Sequence, residues 1–249
     1  MSLLFTDAST NKVDFGSAAS LDNLGTATVL MWVYPTSVAN ALRHVLTKAN
    51  AGGPNGWALF KTGANGTSWA LHRHRATNPQ QVILPGVTAN EWQLLGWVFN
   101  IPAGNPKAFR GTLASIVSEV TNSPVNGAGT QVDDSASDLD LGARDTGSDA
   151  APMRVGWVGI WNRELSLGEI RDQQFRPHVT NGCVLFQAPG YAGTGTQPDW
   201  SGNGNAGTVT GATVAPHVPL GPLFGRRQSF EFTLAAGGAG NPWYSYAQQ

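Results

Sequence analysis

The chain has 249 residues, of which 31 are Gly and 15 Pro, with only 12% charged residues and a formal net charge of -1. Gly and Pro together exceed the roughly 12% of average usage and call for many turns, and the near-zero charge gives no electrostatic basis for a nucleic-acid or anionic-membrane partner. One cysteine, Cys183, rules out an intrachain disulfide, and no apolar run reaches the ~20 residues that a membrane helix requires.

Taken in order, the chain reads as a succession of short strands. Ser2 to Thr6 and Val13 to Phe15 flank a turn-rich DASTN, and the opening MSLLFTDAST lacks the basic start and long apolar run of a signal peptide. Ala27 to Tyr34 is a strongly apolar strand ended by Pro35, and Leu42 to Lys48 is another. Trp57 to Lys61 and Ser68 to Arg73 flank Gly63, Asn65 and Gly66, which tolerate the positive φ of a hairpin turn. Strands follow at Glu91 to Asn100, Phe109 to Thr112, Ser115 to Thr121 and Leu139 to Leu141.

Met153 to Trp161 has apolar residues on both faces: Val158 and Ile160 on one, Trp157, Gly159 and Trp161 on the other. A strand of this kind is expected at the centre of a sheet, covered on each side. Ser166 lies three residues before Glu169, with Leu165 and Ile170 placed as a hydrophobic staple, so a helix is expected to begin at Leu167. Pro177 limits it to about two turns. Beyond it, Cys183 to Gln187 is a strand with a buried thiol, and Asn203, Gly204, Asn205 and Gly207 form a tight loop before the strand Thr208 to Thr210. No helix-forming residues follow that loop, so it is turn chemistry and not a phosphate cradle.

These segments resemble the laminin G-like branch of the concanavalin A-like lectin and glucanase superfamily. The resemblance rests on Val13-Asp14-Phe15-Gly16, Thr28 to Pro35 with Trp32, Glu91-Trp92 to Trp97, the IWNR-x-L-S-x-x-E-I stretch within Gly156 to Ile170, and D-x-SGNGN-x-GT-x-x-GA from Asp199 to Ala212. It implies an all-β, two-sheet antiparallel jelly-roll sandwich with one short capped helix, over residues 1–222, followed by an extension at 223–249. The SGNGN segment ordinarily precedes the IWNR segment in such modules. Here it follows, as in a circularly permuted module, which compact domains with adjacent termini allow.

The superfamily includes glycoside hydrolases, which need two carboxyl groups about 5 to 9.5 Å apart. The chain has no Glu-x-Asp-x-x-Glu motif; Asp138 and Asp140 share a strand face but read as a solvated acidic turn. No enzymatic activity is expected. Six Asp between Asp133 and Asp149 suggest a hydrated loop, with Asp145 and Asp149 as weak calcium candidates and no other cofactor. His72 and His74 fall on one face of their strand and Arg73 and Arg75 on the other, as exposed strand residues; either a zinc site or arginine salt bridges to a partner is the alternative. Trp32, Trp92, Trp97, Trp157 and Trp161 are expected to fill the sandwich. Trp200, beside Asn203 and Asn205, is the candidate glycan contact, with the ring for stacking and the amides for hydroxyls.

The expected function is a non-catalytic structural or attachment protein, a phage virion component of head or tail made in the host cytoplasm. A carbohydrate-binding lectin module is the alternative. Partners would be other subunits of a particle or a homo-oligomer, and a cell-surface glycan. In the extension, Gln228 to Leu234 alternates as a strand, and Phe230, Phe232, Trp243, Tyr244 and Tyr246 are expected to dock on a neighbouring subunit.

Overall fold

The computed structural model describes residues 1–7, 10–39, 42–49, 55–62, 66–100, 104–144, 149–218, 231–233 and 245–247. In chain order these form β1 (Ser2–Phe5), β2 (Lys12–Asp14), β3 (Thr26–Pro35), β4 (His44–Lys48), β5 (Trp57–Thr62), β6 (Ser68–Arg73), β7 (Gln80–Leu84), β8 (Gln93–Asn100) and β9 (Lys107–Thr112). They continue with β10 (Ser118–Glu119), β11 (Asn122–Val125), β12 (Asp140–Gly142), β13 (Met153–Trp161), α1 (Leu167–Phe175), β14 (Cys183–Gln187), β15 (Thr208–Thr210) and β16 (Thr213–Ala215). The chain divides into Met1–Val218 and a small unit, Pro219–Gln249, which holds β17 (Glu231–Thr233) and β18 (Ser245–Ala247).

The larger unit is a two-sheet antiparallel jelly-roll sandwich. The first sheet runs β10-β9-β8-β3-β13-β1-β16, and the second β11-β7-β6-β5-β4-β12-β2-β15. β13 is central as its two-sided apolar pattern requires: it pairs with β3 along one edge, while β1 and β14 share the other. The first and last strands of the unit are neighbours in both sheets, Leu3 opposite Val214 and Val13 opposite Val209.

Alternation decides which side chains meet between the sheets. Val29, Met31 and Val33 of β3, Val158 and Ile160 of β13, and Trp57, Leu59, Trp69 and Leu71 of β5 and β6 all enter the common core. Of the five tryptophans expected there, Trp97 alone enters it; Trp32, Trp92, Trp157 and Trp161 are buried outside it. Trp32, Trp157 and Trp161 lie on the outer face of the first sheet because their strand neighbours Met31, Val33, Val158 and Ile160 take the inner one. Strand β7 had no separate signal in the sequence: it is a five-residue run between Pro79 and Pro85, and Val82 and Leu84 bury its inner face.

Helix α1 clips that outer face. Ser166 Oγ accepts from Glu169 N at 3.3 Å while Glu169 Oε2 accepts from Ser166 N at 2.8 Å, the full capping box. Arg163 then bonds Glu169 at 2.6 Å, and with the cap's donors it holds that carboxyl at about 2. The buried Gln174 ties the helix down: its Oε1 accepts from Val117 N at 2.7 Å, and its Nε2 donates to Thr112 O at 2.9 Å and Ser115 O at 2.8 Å. Gly111 makes room for this, since a Cβ there would sit 2.7 Å from Gln174 Nε2 and 2.9 Å from the Val117 backbone. Trp32 Nε1 donates to the Gln174 carbonyl at 2.8 Å, so one residue joins helix, strand and loop.

In the small unit, β17 pairs antiparallel with β18, placing Phe232 opposite Tyr246. The expected strand Gln228 to Leu234 is described only at Glu231–Thr233, and Phe230, Trp243 and Tyr244 lie outside the described residues.

Ser166→Ala removes the N-cap and is expected to lower the unfolding free energy by about 1 kcal/mol. Gln174→Ala strands buried backbone groups and is expected to cost about 2–3 kcal/mol. Urea denaturation measures both; equal losses would show that Gln174 does not tie the helix to the sheet.

Candidate functional site

The second sheet presents a different outer face. Along β5, Trp57, Leu59 and Lys61 turn inward and are buried, leaving half-buried Ala58 and Phe60 outside. Strand register carries this across the sheet: Thr47, Ala58, His72 and Gln81 form one outward row, and His44, Phe60, Ala70 and Ile83 the next. Four rings therefore line up over β4, β5 and β6. His44 and Phe60 have centroids 6.3 Å apart, Phe60 and His72 6.4 Å, and His72 and His74 4.7 Å, the last edge to face.

These rings border a pocket of about 370 Å³, completed by Leu42, Thr47, Ala49, Ala58, Arg144 and Asp149. Its rim is strained at two points. Leu42 (φ 59°) and Asp149 (φ 65°) both take left-handed backbone angles, uncommon for any non-glycine residue and more so for a bulky leucine. Short bonds hold them there: Leu42 N donates to Lys61 O at 3.0 Å and His44 N to Asp149 O at 2.7 Å. Strain maintained in this way clusters at binding sites.

The electrostatics favour uncharged imidazoles. Burial lowers the pKa of His44, His72 and His74, helped at His44 by the Arg144 charge and at His72 by His74. Each ring at neutral pH thus offers one donor and one acceptor. His44 Nδ1 and Arg144 Nε are shielded from solvent and have no hydrogen-bond partner among the described residues. Asp149 is ion-paired to Arg43 at 3.4 Å, and Arg43 also to Asp7 at 2.5 Å. Among the described residues no three His, Cys, Asp or Glu converge as metal ligands. Asp149 is an arginine partner, and Asp145 lies outside the described residues.

Several residues singled out from the sequence are used differently. Arg73 is buried, its guanidinium 4.4 Å from the Phe99 ring centre, and burial pushes it down to about 10. Arg75 donates to the carbonyls of Gly129 and Asn126, so the sequence's partner salt bridges are replaced by internal contacts. Asp140 is not in a solvated turn: only 1% of its side chain is exposed, and Lys12 lies 3.0 Å from it and 3.2 Å from Asp14. Cys183 is buried, and desolvation pushes its thiol up to about 12.

The SGNGN loop is built around Asp199, whose carboxylate accepts from the backbone of Phe186, Ser201 and Asn205. The Asn205 amide is buried and donates to Val184 O and Ser20 Oγ, and the Asn203 amide donates to Cys183 O. Those donors hold the loop and are not turned toward a ligand. Trp200 does face solvent, 44% exposed, with Tyr191, 64% exposed, edge to face at 5.1 Å. Tyr191 carried no motif; its proximity to Trp200 comes from the loop's fold.

No protein-family model matches the chain, and a search of curated proteins finds no match. Among solved structures it is similar to a Bacteroides ovatus protein provisionally described as carbohydrate binding, with a TM-score of 0.60 at 12% identity, covering 87% of this chain and 59% of that one. The chain thus spans about three fifths of that protein. It is also similar to a native heptameric SAP-like pentraxin from Limulus polyphemus (TM-score 0.43, 11% identity, 69% and 74% covered). A third is the binding domain of Paraclostridial Mosquitocidal Protein 1 (TM-score 0.48, 10% identity, 70% and 46% covered). The first likeness supports the sandwich fold; the other two are too loose to carry an argument.

Burial holds the Asp140 carboxyl up at about 6 against the pull of Lys12. The native state therefore binds a proton more tightly than the unfolded chain, and stability falls as pH rises from about 4 to 6. Asp140→Asn should gain on the parent by about 2–3 kcal/mol between those limits, read from urea unfolding at each pH; a constant difference would place Asp140 in water.

Proposed function

We propose that the chain is a non-catalytic carbohydrate-binding module whose ligand sits in the ring-lined pocket of the second sheet. The observation that carries this is the row His44, Phe60, His72 and His74 at the wall of a 370 Å³ pocket. That volume falls in the range of about 300–1,000 Å³ usual for small-molecule sites. A sugar has an apolar ring face and hydroxyls that both donate and accept. Phe60 offers the first a surface, and three uncharged imidazoles match the second. The fold supports the reading through the Bacteroides ovatus protein, provisionally described as carbohydrate binding. On the same outer face Asp14 and Asp140 are bridged by Lys12, so this carboxylate pair is already engaged.

A second contact is favoured by the exposed Tyr191 and Trp200 pair, which offers an aromatic face outside the pocket. As a setting we keep attachment at the surface of a virion or similar particle, which a 12% charged share suits. Mass spectrometry of purified particles tests that part separately.

Glycan-array screening followed by calorimetry on the best ligand tests the site. Phe60→Ala and His72→Ala are expected to weaken binding at least tenfold, about 1.4 kcal/mol, with unchanged melting temperature and no effect of EDTA. Loss in Trp200→Ala with full binding by Phe60→Ala would move the site to the loop pair.

A further inference from the structure

Among the described residues Arg144 is a pocket cation with no carboxylate in ion-pair contact, since Asp149 is drawn to Arg43. Arg144 lines the pocket with its Nε shielded from solvent and unpartnered among the described residues, while the three neighbouring imidazoles are held in the uncharged form. Asp149, the one carboxylate of the lining among the described residues, is paired to Arg43, which also holds Asp7. The carboxylates of the adjoining row, Asp14 and Asp140, are bridged by Lys12, and Thr47 stands between Asp140 and the rings. A neutral ligand that displaced water from this pocket would leave the Arg144 guanidinium desolvated and without a direct ion-pair partner, which is costly. A planar carboxylate would meet the guanidinium fork in two parallel charge-assisted bonds, and the ring bearing it would lie toward Phe60.

We infer that Arg144 makes this pocket selective for sugars bearing a carboxylate, the uronic and sialic acid classes, over neutral sugars. The inference rests on the carbohydrate reading of the same pocket and adds the ligand class. Arg144 supplies the charge, Phe60 the apolar surface, and His44, next to both, a hydroxyl partner.

A glycan array with neutral, sulfated and carboxylated members, followed by calorimetry at pH 7, tests it. The expected result is a set of hits that carry carboxylates, with methyl esterification of the best one weakening it at least tenfold. Arg144→Gln should bind acid and ester equally, at the ester's affinity, and Arg144→Lys should recover part of the difference. Circular dichroism melts confirm that each variant is folded. Hits confined to neutral or sulfated glycans, or equal affinity for acid and ester in the parent protein, overturn the inference and leave the carbohydrate reading in place. An array without hits overturns both.

Discussion

Strand β13 buries apolar residues on both faces, and the asymmetry of the molecule follows from that demand. Its inner face is met by the second sheet, through Val158 and Ile160. Its outer face, with Trp157 and Trp161, needs a cover of its own, and α1 with the Trp157–Phe186 stack belongs to it. The outer face of the second sheet carries the ring-lined pocket, and its strands β5 and β7 alternate so that only one side is buried.

The alternation there is strict enough to carry buried cations. Lys48, Lys61 and Arg73 all turn inward at strand ends, and each meets a different solution. Lys48 is paired to Asp22 at 2.8 Å, Lys61 donates to the carbonyls of Ser37 and Ala39 and is pushed down to about 8, and Arg73 lies over Phe99. A register slip by one residue would expose Leu59 and Leu71 and turn the His and Phe rings inward. The same constraint that hides these cations thus keeps the ring row outside.

Much of the fold was legible locally. The capping box needs only Ser166 and Glu169 three apart, and the two-sided pattern of β13 is visible in nine consecutive residues. The pocket was not, because its walls come from residues 42–49, 58–60, 72–74, 144 and 149, which meet only through strand register. The HRHR run gave the split between faces; which face was inner depended on Phe99 and on the neighbours of β6. Asn203 and Asn205 show the opposite failure. Polar residues beside an exposed tryptophan look available on paper, yet the Cys183 and Val184 carbonyls of β14 take their amides.

The pairing of the first and last strands of the larger unit has a mechanical consequence. Ser2 lies opposite Ala215 and Leu4 opposite Thr213, so the two ends leave the sheet at the same point. A force pulling them apart would load the β1–β16 hydrogen bonds one after another, as a zipper opens, instead of all at once in shear. Strung by both ends between two bodies, the sandwich would begin to peel from that edge. Held by one end, with tension arriving through the middle of the second sheet, it would spread the load across ladders on either side of β5.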